Sequence, residues 1–232
     1  MNRLYIIFPA LFQIIIWPLT RFILIFFGHL EIRGLEKLKY ISKKEGIIFA
    51  SNHSSEIDPF VIPACLPMFS GFLPLYYVTR GKSFYNENII RRLFYGGILF
   101  SLMGGQPVYA GLSDYSKSLS KHVELLKNGK NICIFPEGGI TKDGSLSTPH
   151  SGISYLAETT NSIVIPIAIS GVYNMSLIDF IKRKRSIIII FGEPINYFEL
   201  SNLFVSRNYN NNMYRIKSEY IMSRIGELII NK

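Results

Sequence analysis

Five short apolar runs, at residues 47–50, 75–79, 131–135, 163–169 and 187–191, punctuate this chain. Each is too short for a helix, and most are rich in β-branched residues and bounded by glycine, proline or asparagine, so they predict buried strands. Leu30-Glu31-Ile32-Arg33 alternates and then breaks at Gly34, which adds a strand and turn, and Pro107-Val108-Tyr109 adds another short strand. Between the strands the period changes. Pro59 opens a helix that Pro67 closes, and residues 89–103 repeat apolar side chains at helical spacing. Ser113-Asp114 caps a helix carrying Leu119, Val123 and Leu126 on one face, closed by Asn128-Gly129. Two further helices are predicted over 152–160 and 214–230, the last with Ile216, Tyr220, Ile221, Ile225 and Leu228 as its inner stripe. The polar tract 208–212 reads as a loop. Continuous apolar strands alternating with helices predict a single α/β domain, with a mixed, mainly parallel sheet flanked by helices.

The first 30 residues behave differently. Residues 4–27 are almost wholly apolar and aromatic, interrupted by Pro9, Gln13, Pro18, Thr20 and Arg21. A cleavable signal peptide fits poorly, because the stretch is too long and no small-residue cleavage pattern follows. A single span has enough length, but Arg21 and two prolines would lie inside it. A core helix of the domain is the plain alternative. The preferred reading is a membrane anchor helix that lies in one leaflet, with Arg21 snorkelling to the head groups. The chain is thus divided into a membrane-associating segment, 1–30, and a domain, 31–232.

Composition narrows the partners. The chain has 232 residues, 25 Lys plus Arg against 16 Asp plus Glu, and a formal charge of +9, which favours anionic lipid or an acidic carrier. Basic clusters occur at Lys37 with Lys39, Lys43-Lys44, Arg91-Arg92 and Lys182-Arg183-Lys184-Arg185. No helix-turn-helix, zinc or RNA-binding signature accompanies them, so nucleic acid is not the expected partner. There is no metal-ligand spacing. Of two cysteines, Cys133 lies in a predicted strand, which favours a reducing compartment, and Cys65 suits packing. His29 and His122 read as surface or interface residues.

The chemistry concentrates in Ser51-Asn52-His53-Ser54-Ser55-Glu56-Ile57-Asp58-Pro59, straight after the strand 47–50. Asp-Pro suits a helix start, with Asp as N-cap. A spacing of five is wrong for one helix face, but a curved loop can bring the Asp58 carboxylate to the His53 ring. There it would fix the tautomer and stabilise the protonated imidazole, as a general base requires. By itself such a pair is more often a capping arrangement. It is accompanied by Phe135-Pro136-Glu137-Gly138-Gly139 after the strand 131–135, and by Val164-Ile165-Pro166 within the strand 163–169.

In that order, these motifs resemble those of the glycerolipid acyltransferase family, which includes the lysophosphatidic acid acyltransferases: Asn-His, four residues, Asp; Phe-Pro-Glu-Gly; and a Val-Pro-type strand. The resemblance runs from about Glu31 to Pro194. It implies an enzyme that moves a fatty acyl group from acyl-CoA or acyl carrier protein to a hydroxyl of a lysolipid at a membrane, without a cofactor and without an acyl-enzyme. His53 would be the general base and Asp58 its partner. Asn52, Glu137, Gly138, Gly139 and Pro166 would shape the substrate site, with Glu137 helping to place the acceptor. Backbone amides near Gly138-Gly139 or the strand of Pro166 are candidates for holding the oxyanion. A membrane-associated location at the cytoplasmic face follows. A nucleophilic hydrolase fits poorly, since no Gly-x-Ser-x-Gly elbow is present. A non-catalytic acyl-lipid-binding protein on the same fold is the alternative.

Three basic positions of the family are altered. Val-Asp-Arg is replaced by Pro107-Val108-Tyr109-Ala110, Thr-Arg after Phe-Pro-Glu-Gly by Gly139-Ile140, and the lysine before Gly152 by His150-Ser151. The resemblance implies lysophosphatidic acid or a related lysolipid as acceptor, while the altered positions point away from simple lysophosphatidic acid, to a lysolipid with another head group or to a different lipid hydroxyl or amine. Arg80, Lys82, Lys142 and His150 are the groups able to compensate.

Overall fold

A computed structural model of the chain describes residues 4–42, 45–79, 98–108, 114–202 and 212–230. Seven strands, β1 Glu31–Arg33, β2 Ile48–Ser51, β3 Leu75–Thr79, β4 Gly105–Pro107, β5 Asn131–Ile134, β6 Val164–Ser170 and β7 Ile188–Phe191, form one sheet in the order β1-β7-β6-β2-β5-β3-β4. From β6 to β4 every pairing is parallel. β7 runs antiparallel to β6, and β1 runs parallel to β7. The sheet is thus mixed and mainly parallel.

Strand alternation divides the core between two faces. Phe49, Tyr77, Cys133, Ile165, Ile167 and Ile189 point to one face, where they meet Leu24 of α1 (Leu4–Gly28) and Val61 and Ile62 of α2 (Asp58–Cys65). Ile48, Ala50, Tyr76, Ile132, Ile134 and Val164 point to the other. In addition to α3 (Ile98–Leu102) and α4 (Tyr115–Ser118), the structure has α5 (Ser120–Lys127), α6 (Gly152–Thr160), α7 (Leu177–Ile181), α8 (Tyr197–Asn202) and α9 (Asn212–Ile230). Leu125 and Leu126 of α5, Leu156 and Ala157 of α6, and Ile221 and Ile225 of α9 cover the second face.

Several boundaries and contacts differ from the pattern-based expectation. Asp114 does cap a helix, accepting from the Ser116 N–H at 2.8 Å, but that helix breaks at Leu119 before α5 begins. In α9 the buried stripe is Lys217, Ser218, Ile221, Met222 and Ile225, while Ile216, Tyr220 and Leu228 are half-buried. Polar residues enter the stripe because they have partners there: Lys217 pairs with Glu158 of α6, and the Ser218 hydroxyl meets Ser154 at 2.9 Å. His122 is fully buried, not on the surface, with Nε2 donating to the Gln106 carbonyl at 3.2 Å. The expected strand at 107–109 is β4, ending at Pro107; Tyr109, most of the helix expected over 89–103, Arg91-Arg92, Lys43-Lys44, Arg80, Lys82 and most of the 208–212 tract lie outside the described residues.

α1 is held to the domain by polar side chains. Gln13, Trp17 and Arg21 recur every fourth residue and so share one helical stripe. Gln13 donates to the Leu75 and Met103 carbonyls at 2.7 and 2.8 Å and accepts from the Leu75 N–H at 2.9 Å. Trp17 Nε1 donates to the Leu66 carbonyl, and Arg21 to the Ala64 carbonyl at 2.7 Å. Arg21 therefore does not snorkel outward: the carbonyls closing α2 attract its charge more closely. The opposite face stays bare, with Ile15, Leu19 and Phe22 each more than 60% exposed. The helix is long and apolar enough to cross a membrane by length and composition.

Candidate active site

β2, β5 and β6 end on the same edge of the sheet, where open α/β folds form their sites. Beyond β2 the chain turns through residues 52–57 before α2. Asp58 is the first residue of that helix, with Ile57 at the cap position. The carboxylate does not cap forward, as Asp-Pro suggested. It turns back, so that Oδ2 accepts from Ser54 N–H at 2.7 Å, Ser55 N–H at 2.9 Å and His53 Nδ1 at 2.9 Å. Asp58 is 0% exposed, and its Oδ1 has no hydrogen-bond partner among the described residues. A carboxylate facing Nδ1 keeps the proton on that nitrogen and leaves Nε2 unprotonated for a substrate. The His53 ring also stacks on Phe135, with centroids 4.1 Å apart, so its plane is fixed as well as its tautomer.

The His53 backbone is clamped by the turn after β5. Its N–H donates to Glu137 Oε1 at 2.8 Å, and its carbonyl accepts from the Thr141 N–H at 2.9 Å. The other Glu137 oxygen accepts from the Ser147 N–H at 2.9 Å and the Ser147 hydroxyl at 2.7 Å. Both oxygens are thus bonded to this chain's own donors. Asn52 ties the loop to β6: its amide exchanges hydrogen bonds with the Ile169 N–H and carbonyl at 2.8 and 2.9 Å and reaches the Ser54 hydroxyl.

Gly138 has φ +68°, and a Cβ there would lie 2.6 Å from the His150 ring. The turn needs glycine both for its left-handed backbone and for the closeness of that ring. The Gly138 N–H donates to the Phe135 carbonyl at 3.0 Å, whereas Gly139 is half-exposed at the rim. Pro166 stays inside the sheet beside Ala50, with its carbonyl bonded to the Gly192 N–H. The residue of β6 that reaches the loop is Ile169, through Asn52.

Asn52, His53, Asp58, Glu137 and Gly138 thus converge, and Pro166 does not join them. The two cysteines are buried; burial raises the Cys65 thiol to about 12 and the Cys133 thiol further, so neither is a nucleophile. Sequence reasoning passed over Phe135 as a ring support, Thr141 and Ser147. The Phe-Pro-Glu-Gly motif contains the first, but nothing local marks the other two.

The profile of the family described as Acyltransferase matches residues 29–170, more than half of the chain, and all seven predicted site residues lie within it. This chain belongs to the acyltransferase family. It is 30% identical over 149 residues to a chloroplast 1-acyl-sn-glycerol-3-phosphate acyltransferase of Arabidopsis thaliana, a match covering 62% of this chain and 37% of that relative's length. It is 22% identical over 187 residues to the Mycoplasma pneumoniae protein named "Probable 1-acyl-sn-glycerol-3-phosphate acyltransferase", covering 74% of this chain and 65% of that one. The crystal structure of the 1-acyl-sn-glycerophosphate acyltransferase from Thermotoga maritima shares the fold of this acyltransferase-family chain, with TM-score 0.55 and 18% identity over 86% of this chain and 72% of that one. The helix α1 precedes the matched region.

Proposed function

We propose that this chain is a membrane-associated acyltransferase that moves a fatty acyl group from acyl-CoA or acyl carrier protein to the hydroxyl of a lysolipid. The observation that carries the reading is the His53–Asp58 pair, 2.9 Å apart at the carboxyl edge of the sheet of an acyltransferase-family chain. Nε2 of His53 takes the acceptor's hydroxyl proton as that oxygen forms a bond to the thioester carbon, while Asp58 stabilises the imidazolium. The oxyanion so formed needs a donor. Gly139 N–H is assigned this part, because the Gly138 N–H is bonded within its turn. Collapse breaks the C–S bond, and the departing thiolate takes the proton from His53. The products are an ester and a free thiol.

The relatives' names favour lysophosphatidic acid or a close lysolipid as acceptor. Here the head group would meet the exposed His150, packed against Gly138, where the family's lysine is absent. The exposed apolar face of α1 would rest in one leaflet, on the cytoplasmic side where the thioester donors are found.

The test is labelled acyl transfer by purified, detergent-solubilised protein and its His53→Ala variant over a panel of lysolipids and donors. The variant is expected to keep its thermal midpoint and lose roughly 10²–10⁴ in rate. Equal background from both proteins would overturn the enzyme reading in favour of a non-catalytic acyl-lipid-binding role.

A further inference from the structure

We propose that the connection between β6 and β7 is a second membrane-contacting element, one that seats α7 in an anionic bilayer beside α1. The inference rests on the reading of α1 as a membrane anchor and extends it to a part of the chain remote in sequence.

Within α7, Leu177, Ile178 and Ile181 are 72%, 61% and 53% exposed. This exposure does not come from a fraying end. The Ser176 hydroxyl caps the helix, accepting from the Asp179 N–H at 3.0 Å, and Phe180 turns inward to meet Phe27 of α1 with centroids 5.8 Å apart. The apolar side chains are therefore held outward. Lys182, Arg183, Lys184 and Arg185 follow at once, and all four are exposed. Asp179 is the carboxylate among them, and it pairs with Lys184 at 2.7 Å.

An apolar patch continued by cations is the composition of an interfacial element, whose apolar side chains enter the acyl region while its basic residues meet head groups. An acidic carrier protein would use the cations but give Leu177, Ile178 and Ile181 nothing to enter. The patch is also continuous with the bare face of α1. The Arg183 guanidinium lies over the Phe26 ring at 5.4 Å, Phe26 stacks on Phe22, and both rings are about half exposed or more.

Its position is useful to the chemistry. β6 ends at the edge that holds Asn52 and His53, and β7 begins there, with Ser170 opposite Ile188. The Ile187 N–H bonds the Gly28 carbonyl at 2.8 Å, which joins the connection to the end of α1. Tyr173, in the same connection, packs on Gly144 and donates to the Lys142 carbonyl in the turn after β5. The proposed contact thus lies between the anchor and the catalytic turn, and would hold the mouth of the site at the leaflet from which a lysolipid enters.

The test is co-flotation of the full chain with vesicles of phosphatidylcholine alone or mixed with phosphatidylglycerol. Two variants are compared with the unmodified chain: Leu177→Ser with Ile178→Ser and Ile181→Ser, and Lys182→Gln with Lys184→Gln. A third, Leu19→Ser with Phe22→Ser, tests α1. The serine triple is expected to bind both vesicle types about tenfold more weakly. The glutamine pair is expected to lose about twentyfold on phosphatidylglycerol vesicles and nothing on phosphatidylcholine. Acyl transfer on detergent-dispersed substrate should stay the same in both α7 variants. If they float like the unmodified chain while the α1 variant does not, this inference fails and the anchor reading stands. If the unmodified chain does not float, both fail. Unchanged flotation with weakened titration by acyl carrier protein would overturn lipid in favour of carrier docking.

Discussion

Asp58 at the start of α2 and Gln13 in α1 are both almost wholly buried, and each makes three hydrogen bonds. Their chemistry differs. Asp58 is acceptor-only, so it collects N–H groups on one oxygen and orients an imidazole whose far nitrogen is left for a substrate. Gln13 both donates and accepts, so it matches a strand N–H and two carbonyls and closes a helix against the sheet, leaving an apolar back outside. A buried carboxylate makes a reactive neighbour; a buried amide makes a joint. Glu137 stands between them, a carboxylate used as a joint, since its oxygens hold the backbone of His53 and the turn residue Ser147.

The sharpest way to break the comparison is Asp58→Asn. The amide can still accept from Ser54 or Ser55, so the fold should survive, but it no longer stabilises the imidazolium and admits the wrong tautomer. The rate of acyl transfer is expected to fall by roughly 10²–10⁴-fold with the thermal midpoint shifted little. A variant that unfolds instead would make Asp58 a joint like Gln13.

Gln13→Leu should do the reverse. The Leu75 N–H and the Leu75 and Met103 carbonyls lose a buried partner, and the unfolding free energy is expected to drop by about 3 kcal/mol. Turnover per folded molecule should change little; denaturant titration beside an activity assay reads both.

For Glu137→Gln, one of the two oxygens becomes an NH₂ facing an N–H donor, at His53 or at Ser147. A drop of about tenfold in kcat with KM for the acyl donor unchanged is expected, because the group acts through His53. A change confined to the acceptor's KM would show instead that Glu137 meets the acceptor directly.

The last effect falls outside both regions. Burial lowers the pKa of His122 to about 4. In the unfolded chain His122 takes up its proton near its ordinary value of about 6.5, while the folded chain resists until about pH 4. Its contribution is whole above pH 6.5 and is lost as pH falls from there to 4, by roughly 3 kcal/mol in all. His122→Gln can keep the donor to Gln106 and has no proton to take up. Its loss of stability between about pH 7 and pH 4.5 should be smaller than that of the unmodified chain by roughly 2 kcal/mol.

Much of the fold was legible in the sequence because buried strands advertise themselves: Ile163 to Ile169 and Ile187 to Phe191 can be little else. The helix expected over about 152–160 runs from Gly152 to Thr160. The meeting of His53 with Asp58 was legible as something a curved loop allows, and the motifs that accompany the pair, not its spacing, singled it out. The role of Gln13, Trp17 and Arg21 was present as a four-residue period, but one overshadowed by the apolar residues around it. His122 was misplaced because histidine is compatible with surface and core, and only a carbonyl offered by β4 decides between them.

Residue types and their local spacing thus determined the α/β alternation, the apolar first helix and the short loop that lets His53 and Asp58 meet, since each depends on neighbours within a turn or a strand. The order of the strands brought Glu137 to the backbone of a histidine 84 residues away, Asn52 to Ile169 117 residues away and α7 to the end of α1. Those pairings are set by which strands share an edge of the sheet, and periodicity along a chain holds no information about which edge another strand will occupy.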